Sequence, residues 1–462
     1  MIRGIDTMKE EITKLLLNKA MNYLDKDPDK NIPRLMKIVE QLDTTHYFGR
    51  HIAAVKKYVA DPDSVWYKMI RSFWTDVDDE VRKTAFRTFL INACILGVPK
   101  KKKLEEKEGV QIPWNIQIDL TTACNLKCKG CWAADYGKTL SLSYEDLESI
   151  ITQGEEMGTH YYIFSGGEPL MKKDEIIRIC ENHSESLFMA FTNATLVDEA
   201  FADEMLRVKN LVLVISIEGT GEATDFRRGA GTYDACVKAL ELLKRKKLIY
   251  GLSCCYTAQT CQVMGSKEWY DQMVEWGAKF AWYFLYMPVG NSAQPELMVS
   301  AEQRKWMYDR VHEFRQTHGI FVLDFWNDGE YVEGCLAAGK WYLHINAAGD
   351  IEPCAFIHYA DHNIHTSSLR DALAGPLFTA YKEGQPFNEN PLRPCPLLDN
   401  PDRLIDIVRS SGAKSTDLQN PEAVEHLTDK TRTPSEEWAP IADDMMVDKY
   451  GKISGPDFRA NM

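Results

Sequence analysis

The sequence predicts an α/β fold, on three observations. From Trp114 onward, short apolar runs alternate with amphipathic stretches spaced at three and four, the pattern of repeated βα units on a parallel sheet. Before that point only helical periodicity is found. Beyond Asp324 the alternation stops and a hairpin-like, cysteine-bearing segment begins. The chain accordingly divides into a helical N-terminal domain (1–110), a βα core (111–325), a small α+β region (326–400) and a C-terminal tail (401–462).

In the first region MKEEITKLLLNKAMNYL (8–24), PRLMKIVEQL (33–42) and DDEVRKTAFRTFLINACIL (78–96) carry the helical spacing. Lys100 to Lys103 and the LEEKEG that follows read as a solvated linker. Six strands are then expected, at 114–120, 161–165, 187–192, 211–217, 249–256 and 280–286, with helices between them. Ser143, followed by Tyr-Glu-Asp, has the form of a helix N-cap with acid in the first turn. KWYLHINAAGDIEPC (340–354) reads as a hairpin, and the polar last ~50 residues as a loosely packed tail.

At 462 residues, 45% hydrophobic and 26% charged, the chain has the composition of a soluble globular protein and not of a disordered or collagenous one. No apolar stretch reaches the ~18 residues of a membrane span, and the N-terminus has no secretory pattern, so a cytoplasmic location is expected. There the twelve cysteines persist as thiols, available to metals. The net charge of −14 argues against nucleic-acid binding. It divides into +4 over residues 1–110 and −18 beyond. FLINACILGV running into four lysines suits a helix lying at anionic lipid headgroups on the inner membrane face; a core helix followed by a wet linker is the plainer reading.

Cys124, Cys128 and Cys131 form a C-x3-C-x2-C loop after the first strand. A structural zinc takes four protein ligands, whereas a four-iron cluster held by three thiolates leaves one iron open. Spacing alone also admits a zinc knuckle completed by a distant Cys or His.

This loop, together with Gly166-Gly167-Glu168-Pro169 after the second strand, resembles the radical S-adenosylmethionine (radical SAM) enzymes. The resemblance covers roughly Trp114 to His318. It implies a partial (β/α)6, TIM-like barrel and a [4Fe-4S] cluster on Cys124, Cys128 and Cys131 whose open iron chelates S-adenosylmethionine. It also implies an electron donor such as ferredoxin or flavodoxin, and anaerobic chemistry. On this resemblance Gly166, Gly167 and Glu168 meet the methionine part, with the carboxylate accepting from its amino group. Asn193 lies near the ribose, Ser216 and Glu218 contact ribose or carboxylate, and Arg228 pairs with the methionine carboxylate, the adjacent Arg227 being the other choice. The implied reaction is reductive cleavage to a 5′-deoxyadenosyl radical that takes hydrogen from an unactivated substrate carbon. The rival reading is a non-catalytic iron-sulfur protein that carries electrons or holds a scaffold.

Cys335, Gly349, Cys354 and Cys395 resemble the start of SPASM and twitch domains, implying one auxiliary [4Fe-4S] cluster on Cys335, Cys354 and Cys395. Its fourth iron is either open or held by a residue such as Asp399 or His358. The other six cysteines read as ordinary buried thiols. Strand alternation puts Tyr342, His344 and Asn346 on one face, lining a cavity or facing solvent; Asp324 and Asp328 lie nearby in sequence, and YMPVG (286–290) reads as a loop closing over the adenine or as a simple turn. A lipid or small-molecule substrate is expected, with a peptide as the alternative, because strands of a leader-binding module are not found in the first 110 residues.

Overall fold

A computed structural model describes residues 19, 21–42, 49–133, 136–418, 420–451 and 453. Seven strands pair in chain order, all parallel: β1 (Asn115–Thr121), β2 (Tyr161–Gly166), β3 (Leu187–Thr192), β4 (Leu211–Ser216), β5 (Tyr250–Tyr256), β6 (Phe280–Leu285) and β7 (Phe321–Asp324). The six expected strands coincide with β1–β6 to within one residue at either end. The seventh was not foreseen, being four residues long with its first side chain, Phe321, exposed.

The helices after each strand cover the outer face, and their starts are set by side-chain caps. Ser143 and Asp146 form a reciprocal capping box on helix Tyr144–Met157, as Ser300 and Gln303 do on helix Ala301–Thr317. The sheet therefore curls as a partial barrel, with alternate residues of each strand pointing inward.

The hairpin extends that same sheet. Its strands β8 (Tyr342–Ile345) and β9 (Ile351–Glu352) are antiparallel to each other, while β8 lies parallel to β1, giving the order β7-β6-β5-β4-β3-β2-β1-β8-β9. The region beyond residue 326 thus shares the barrel's core; Leu343, Ile351, Leu377 and Leu397 belong to one buried cluster with Ile116 and Phe164.

Two expectations are corrected. The lysine run is no linker: Gly97–Glu108 is a helix closed by a left-handed Gly109, and Lys101 is 2% exposed, its ammonium pushed down to about 8 by burial. Nor is the C-terminal segment loose. Helices Pro401–Ser411 and Val424–Tyr450 are packed, the second burying Trp438, Ala442 and Met446 against Ala301 and Tyr308. Trp438 Nε1 donates to the Leu392 carbonyl at 2.9 Å, and Thr431 and Ser435 donate to the carbonyls of Leu397 and Asp399. Pro434 and Pro440 lie inside this helix and mask its helical signal in the sequence.

The helical arm sits beneath the N-terminal ends of the strands. Lys279, just before β6, bonds Ser72 Oγ and Asp76 Oδ2 at 2.7 Å each; Asn92 Nδ2 donates to Glu185 O before β3 at 2.7 Å; Trp114 Nε1, before β1, donates to Ala93 O at 3.0 Å. The expected helices at 33–42 and 78–96 are found within Pro28–Leu42, Asp79–Ala85 and the π-helical Phe86–Leu96. The expected helix at 8–24 lies mostly outside the described residues. Among the described residues no helix is long and apolar enough to cross a membrane.

Candidate active site at the C-terminal strand ends

The cysteine loop leaves β1 and is pinned at once by the β2 loop. Gly167 N donates to Thr121 O and Glu168 N to Ala123 O, both at 2.8 Å. Gly166 has φ +114°, and a Cβ there would stand 2.4 Å from Thr121 O; on Gly167 it would stand 2.2 Å from Ala123 O. The close approach these glycines permit is to the cysteine loop's own backbone, which fixes where Cys124 begins.

Glu168 is 1% exposed and its carboxylate joins two strand ends: Oε1 accepts from Leu170 N (3.0 Å) and Thr192 Oγ1 (2.7 Å), Oε2 from Asn193 N (2.8 Å). Burial pushes its pKa up, against those three donors. Asn193 donates to Asn125 Oδ1 at 2.9 Å and accepts from Thr195, so it ties β3 to the residue after Cys124.

Glu218 is fully buried and faces two arginines. Arg228 binds it with a fork, Nε to Oε2 at 2.6 Å and Nη2 to Oε1 at 2.5 Å; Arg227 Nη1 reaches Oε1 at 3.1 Å. The fork of Arg228 is thus occupied by the protein. Arg227 Nε, by contrast, is buried without a hydrogen-bond partner, and the Arg227 carbonyl accepts from Lys129 N within the cysteine loop at 2.7 Å. The neighbouring pair, indistinguishable in sequence, is separated by the structure.

Cys124, Cys128, Cys131, Gly166, Gly167, Glu168, Asn193, Ser216, Arg227 and Arg228 all line one cavity of about 950 Å3; Glu218 lies behind the arginines, off its wall. Burial pushes the Cys124 thiol up and that of Cys131 to about 11, each reinforced by the neighbouring Cys128. The donor set is therefore three soft sulfurs, an unpartnered cationic N–H and a buried acid, which suits an iron-sulfur cluster and an amino-acid ligand. Among the described residues no three Cys, His, Asp or Glu side chains are set to hold a lone metal ion, so the zinc reading gains nothing from the geometry.

Residues 118–258 match the radical SAM superfamily. That stretch of the chain is therefore a radical SAM domain. An uncharacterized protein of Archaeoglobus fulgidus is 38% identical over 148 residues, covering 31% of this chain and 35% of that protein. The mycofactocin maturase MftC of Mycolicibacterium smegmatis is 28% identical over 56% of this chain and 68% of its own length. An AdoMet-dependent heme synthase of Oleidesulfovibrio alaskensis is 24% identical over 52% and 69%. The chain thus spans about a third of the first and about two-thirds of the other two. Among solved structures, Streptococcus suis SuiB, bound to the precursor peptide SuiA, superimposes with a TM-score of 0.52 at 18% identity over 62% of this chain and 71% of SuiB, a likeness of fold.

Beside this cavity, Cys335, Cys354 and Cys395 meet at a second, small cavity. Phe325, Leu336, Tyr342 and Phe356 line both cavities and form the partition. Tyr342 OH stands 2.7 Å from Cys354 Sγ. Neither fourth-ligand candidate lines that small cavity. Asp399 pairs with Arg304 at 2.7 Å and accepts from Cys395 N at 3.0 Å, while His358 pairs with Asp417 at 2.8 Å and stacks on Tyr136 at 4.4 Å.

Between the two thiol groups lies a buried ion network that the sequence did not reveal. His344 Nδ1 meets Glu352 Oε2 at 2.6 Å and its Nε2 meets Asp119 Oδ1 at 3.1 Å. Burial opposes its charge, but Asp119 and Glu352 outweigh that and push His344 up to about 10. Tyr136, Asn346 and Thr416 donate to Glu352, and Ser165 donates to Asp119 at 2.7 Å. Trp132, next to Cys131, packs on the His344 ring at 5.6 Å. Of the face read from β8, Tyr342 lines the cavity while His344 and Asn346 are buried in this network, none of them facing solvent. Asp324 and Asp328 line the cavity too, and burial with the nearby Asp328 pushes Asp324 up to about 6. Tyr286 of the YMPVG loop also lines it.

Proposed function

We propose that this chain binds a [4Fe-4S] cluster through Cys124, Cys128 and Cys131, holds S-adenosylmethionine against it, and acts on a carbon–hydrogen bond of an apolar substrate. Held by those thiolates and given one electron by a small donor such as a ferredoxin or flavodoxin, the cluster would pass that electron to the sulfonium, whose broken carbon–sulfur bond would leave methionine and a 5′-deoxyadenosyl radical able to take a hydrogen atom from an unactivated carbon. The protein's part is to place and enclose. Arg227, with its unpartnered Nε, takes the methionine carboxylate in place of Arg228, which instead neutralises Glu218. Glu168 offers the remaining acceptor capacity of Oε2 to the amino group, and Asn193 and Ser216 lie along the strand ends toward the nucleoside. The cavity wall excludes water from the reacting carbon. Cys335, Cys354 and Cys395 hold an auxiliary cluster across the partition formed by Tyr342 and Phe356. The substrate is a lipid or another small apolar molecule.

The observation that carries the reading is the convergence of three thiols and an unpartnered buried arginine N–H on one cavity behind the GGEP loop. Anaerobically reconstituted, reduced protein incubated with S-adenosylmethionine is expected to form 5′-deoxyadenosine. Cluster-loaded protein that forms none above background would leave the electron-carrier reading in its place.

A further inference from the structure

The 950 Å3 cavity does not end at the radical SAM site. Its wall continues down the inward positions of the strands, through Ile163, Met189 and Trp282 at mid-barrel to Tyr161, Leu187 and Phe280 at the N-terminal strand ends. It then passes into the helical arm, where Leu24, Ile52, Val55, Phe73, Ala85 and Phe86 line it. The interior of a closed eight-stranded barrel is filled by side-chain layers; here it is a passage. With strands about 20 Å long and one helical layer about 10 Å thick beneath them, its length is roughly 30 Å.

Polarity along this passage is one-sided. Thiols, acids, amides and the free arginine N–H gather at the C-terminal strand ends. In the lower half the two cations are already matched, Lys279 with Asp76 at 2.7 Å and Arg82 with Asp25 and Asp79 at 2.8 Å. Among the described residues, Arg82 Nε and Asn115 Oδ1 are the buried side-chain polar atoms left over there, beside the thiol of Cys94. A peptide threaded through would bury a backbone N–H and C=O at each residue with almost nothing to bond them, at a cost of several kcal/mol per group. A hydrocarbon makes no such demand and gains from every methylene buried. The lower end reaches solvent: Phe89 and Phe321 line the cavity and are 36% and 41% exposed, with Trp114 and Trp66 edge-on to them at 5.5 and 5.8 Å. Aromatic rings of this kind suit a mouth that meets an apolar chain at a wet boundary.

We propose that this passage is a binding site for one long aliphatic chain, which enters between the helical arm and the edge of β7 and presents a carbon remote from its polar head to the radical SAM site. The inference rests on the function proposed above and names the substrate class. Its test separates the two. On the reconstituted holoenzyme, displacement of a fluorescent fatty-acid probe is measured with saturated fatty acids of increasing length, with phosphatidylglycerol vesicles, with a polyprenol and with an apolar peptide.

Displacement is expected to strengthen by up to about fourfold per added methylene until the passage is full, then level off. Ala85→Trp and Val55→Trp, which fill its lower half, are expected to weaken probe binding tenfold or more. Vesicles or polyprenol competing better than free acid would identify the lipid class while leaving the site as assigned. Chain-length independence in the native protein, or stronger displacement by the peptide, would overturn the proposal, and that measurement does not depend on either variant folding. Probe binding without 5′-deoxyadenosine formation would overturn the radical reaction and keep the passage; 5′-deoxyadenosine without probe binding would do the reverse.

Discussion

The two thiol groups differ in how they are assembled and in what surrounds them. Cys124, Cys128 and Cys131 come from one loop, open into the large cavity and stand beside Arg227. Cys335, Cys354 and Cys395 come from three separated segments and share a small cavity with Tyr342, Tyr381, Pro394 and Pro396. A group meant to receive an exogenous molecule needs open space and a charged partner. A group enclosed by phenol rings and prolines offers little access, which fits electron transfer or structural support. Between them, Trp132 and the Asp119–His344–Glu352 network connect the loop of the first to the strand that carries the second.

The contrast breaks most sharply on cysteine substitution. Cys124→Ala is expected to reduce 5′-deoxyadenosine formation to background, whereas Cys335→Ala should keep S-adenosylmethionine cleavage and lower iron from about eight to about four per chain, each cluster holding four. Loss of cleavage in both would mean the two groups do not have separate tasks.

The bridging network comes next. His344→Gln leaves Asp119 and Glu352 buried without their cation, and a loss of ~3–5 kcal/mol in urea unfolding is expected. Because His344 is held up at about 10 against an ordinary 6.5, its contribution is complete below the ordinary value and is lost as pH rises through about 10. Native stability should therefore fall over that interval, and His344→Gln should flatten the slope. Arg228→Ala should destabilise comparably, by ~3–5 kcal/mol, because it removes the fork on the fully buried Glu218.

Arg227→Ala tests the open side of the comparison. With Glu218 still held by Arg228, folding should change less, while KM for S-adenosylmethionine rises roughly 10- to 100-fold, the value of a hydrogen bond to a charged group. An unchanged KM would return the carboxylate to Arg228. The smallest effect is expected at the enclosed side, where Tyr342→Phe removes the hydroxyl beside Cys354 Sγ; about 1 kcal/mol of stability is at stake, read by thermal unfolding alongside the auxiliary cluster's spectrum.

Legibility followed the range of the interactions. Strands β1 to β6 and the C-x3-C-x2-C and GGEP loops are local patterns, and residues a few positions apart carry them whole. Strand β7 was missed because four residues hold too little periodicity. The helix Val424–Tyr450 was missed because Pro434, Pro440 and a polar composition conceal a face whose burial comes from Leu392 and helix Ala301–Thr317. The lysine run was misread because composition cannot show that Lys101 is enclosed.

The sequence by itself determined the parallel βα order, the first cysteine loop and the GGEP loop, since each depends on spacing along one short stretch. Only the tertiary structure decided which arginine keeps a free N–H, that β8 joins β1 and so sets His344 between Asp119 and Glu352, and that the barrel is open down to the helical arm. These depend on which distant groups satisfy one another's charge, hydrogen bonds and volume, and that is settled when strands pair and side chains pack.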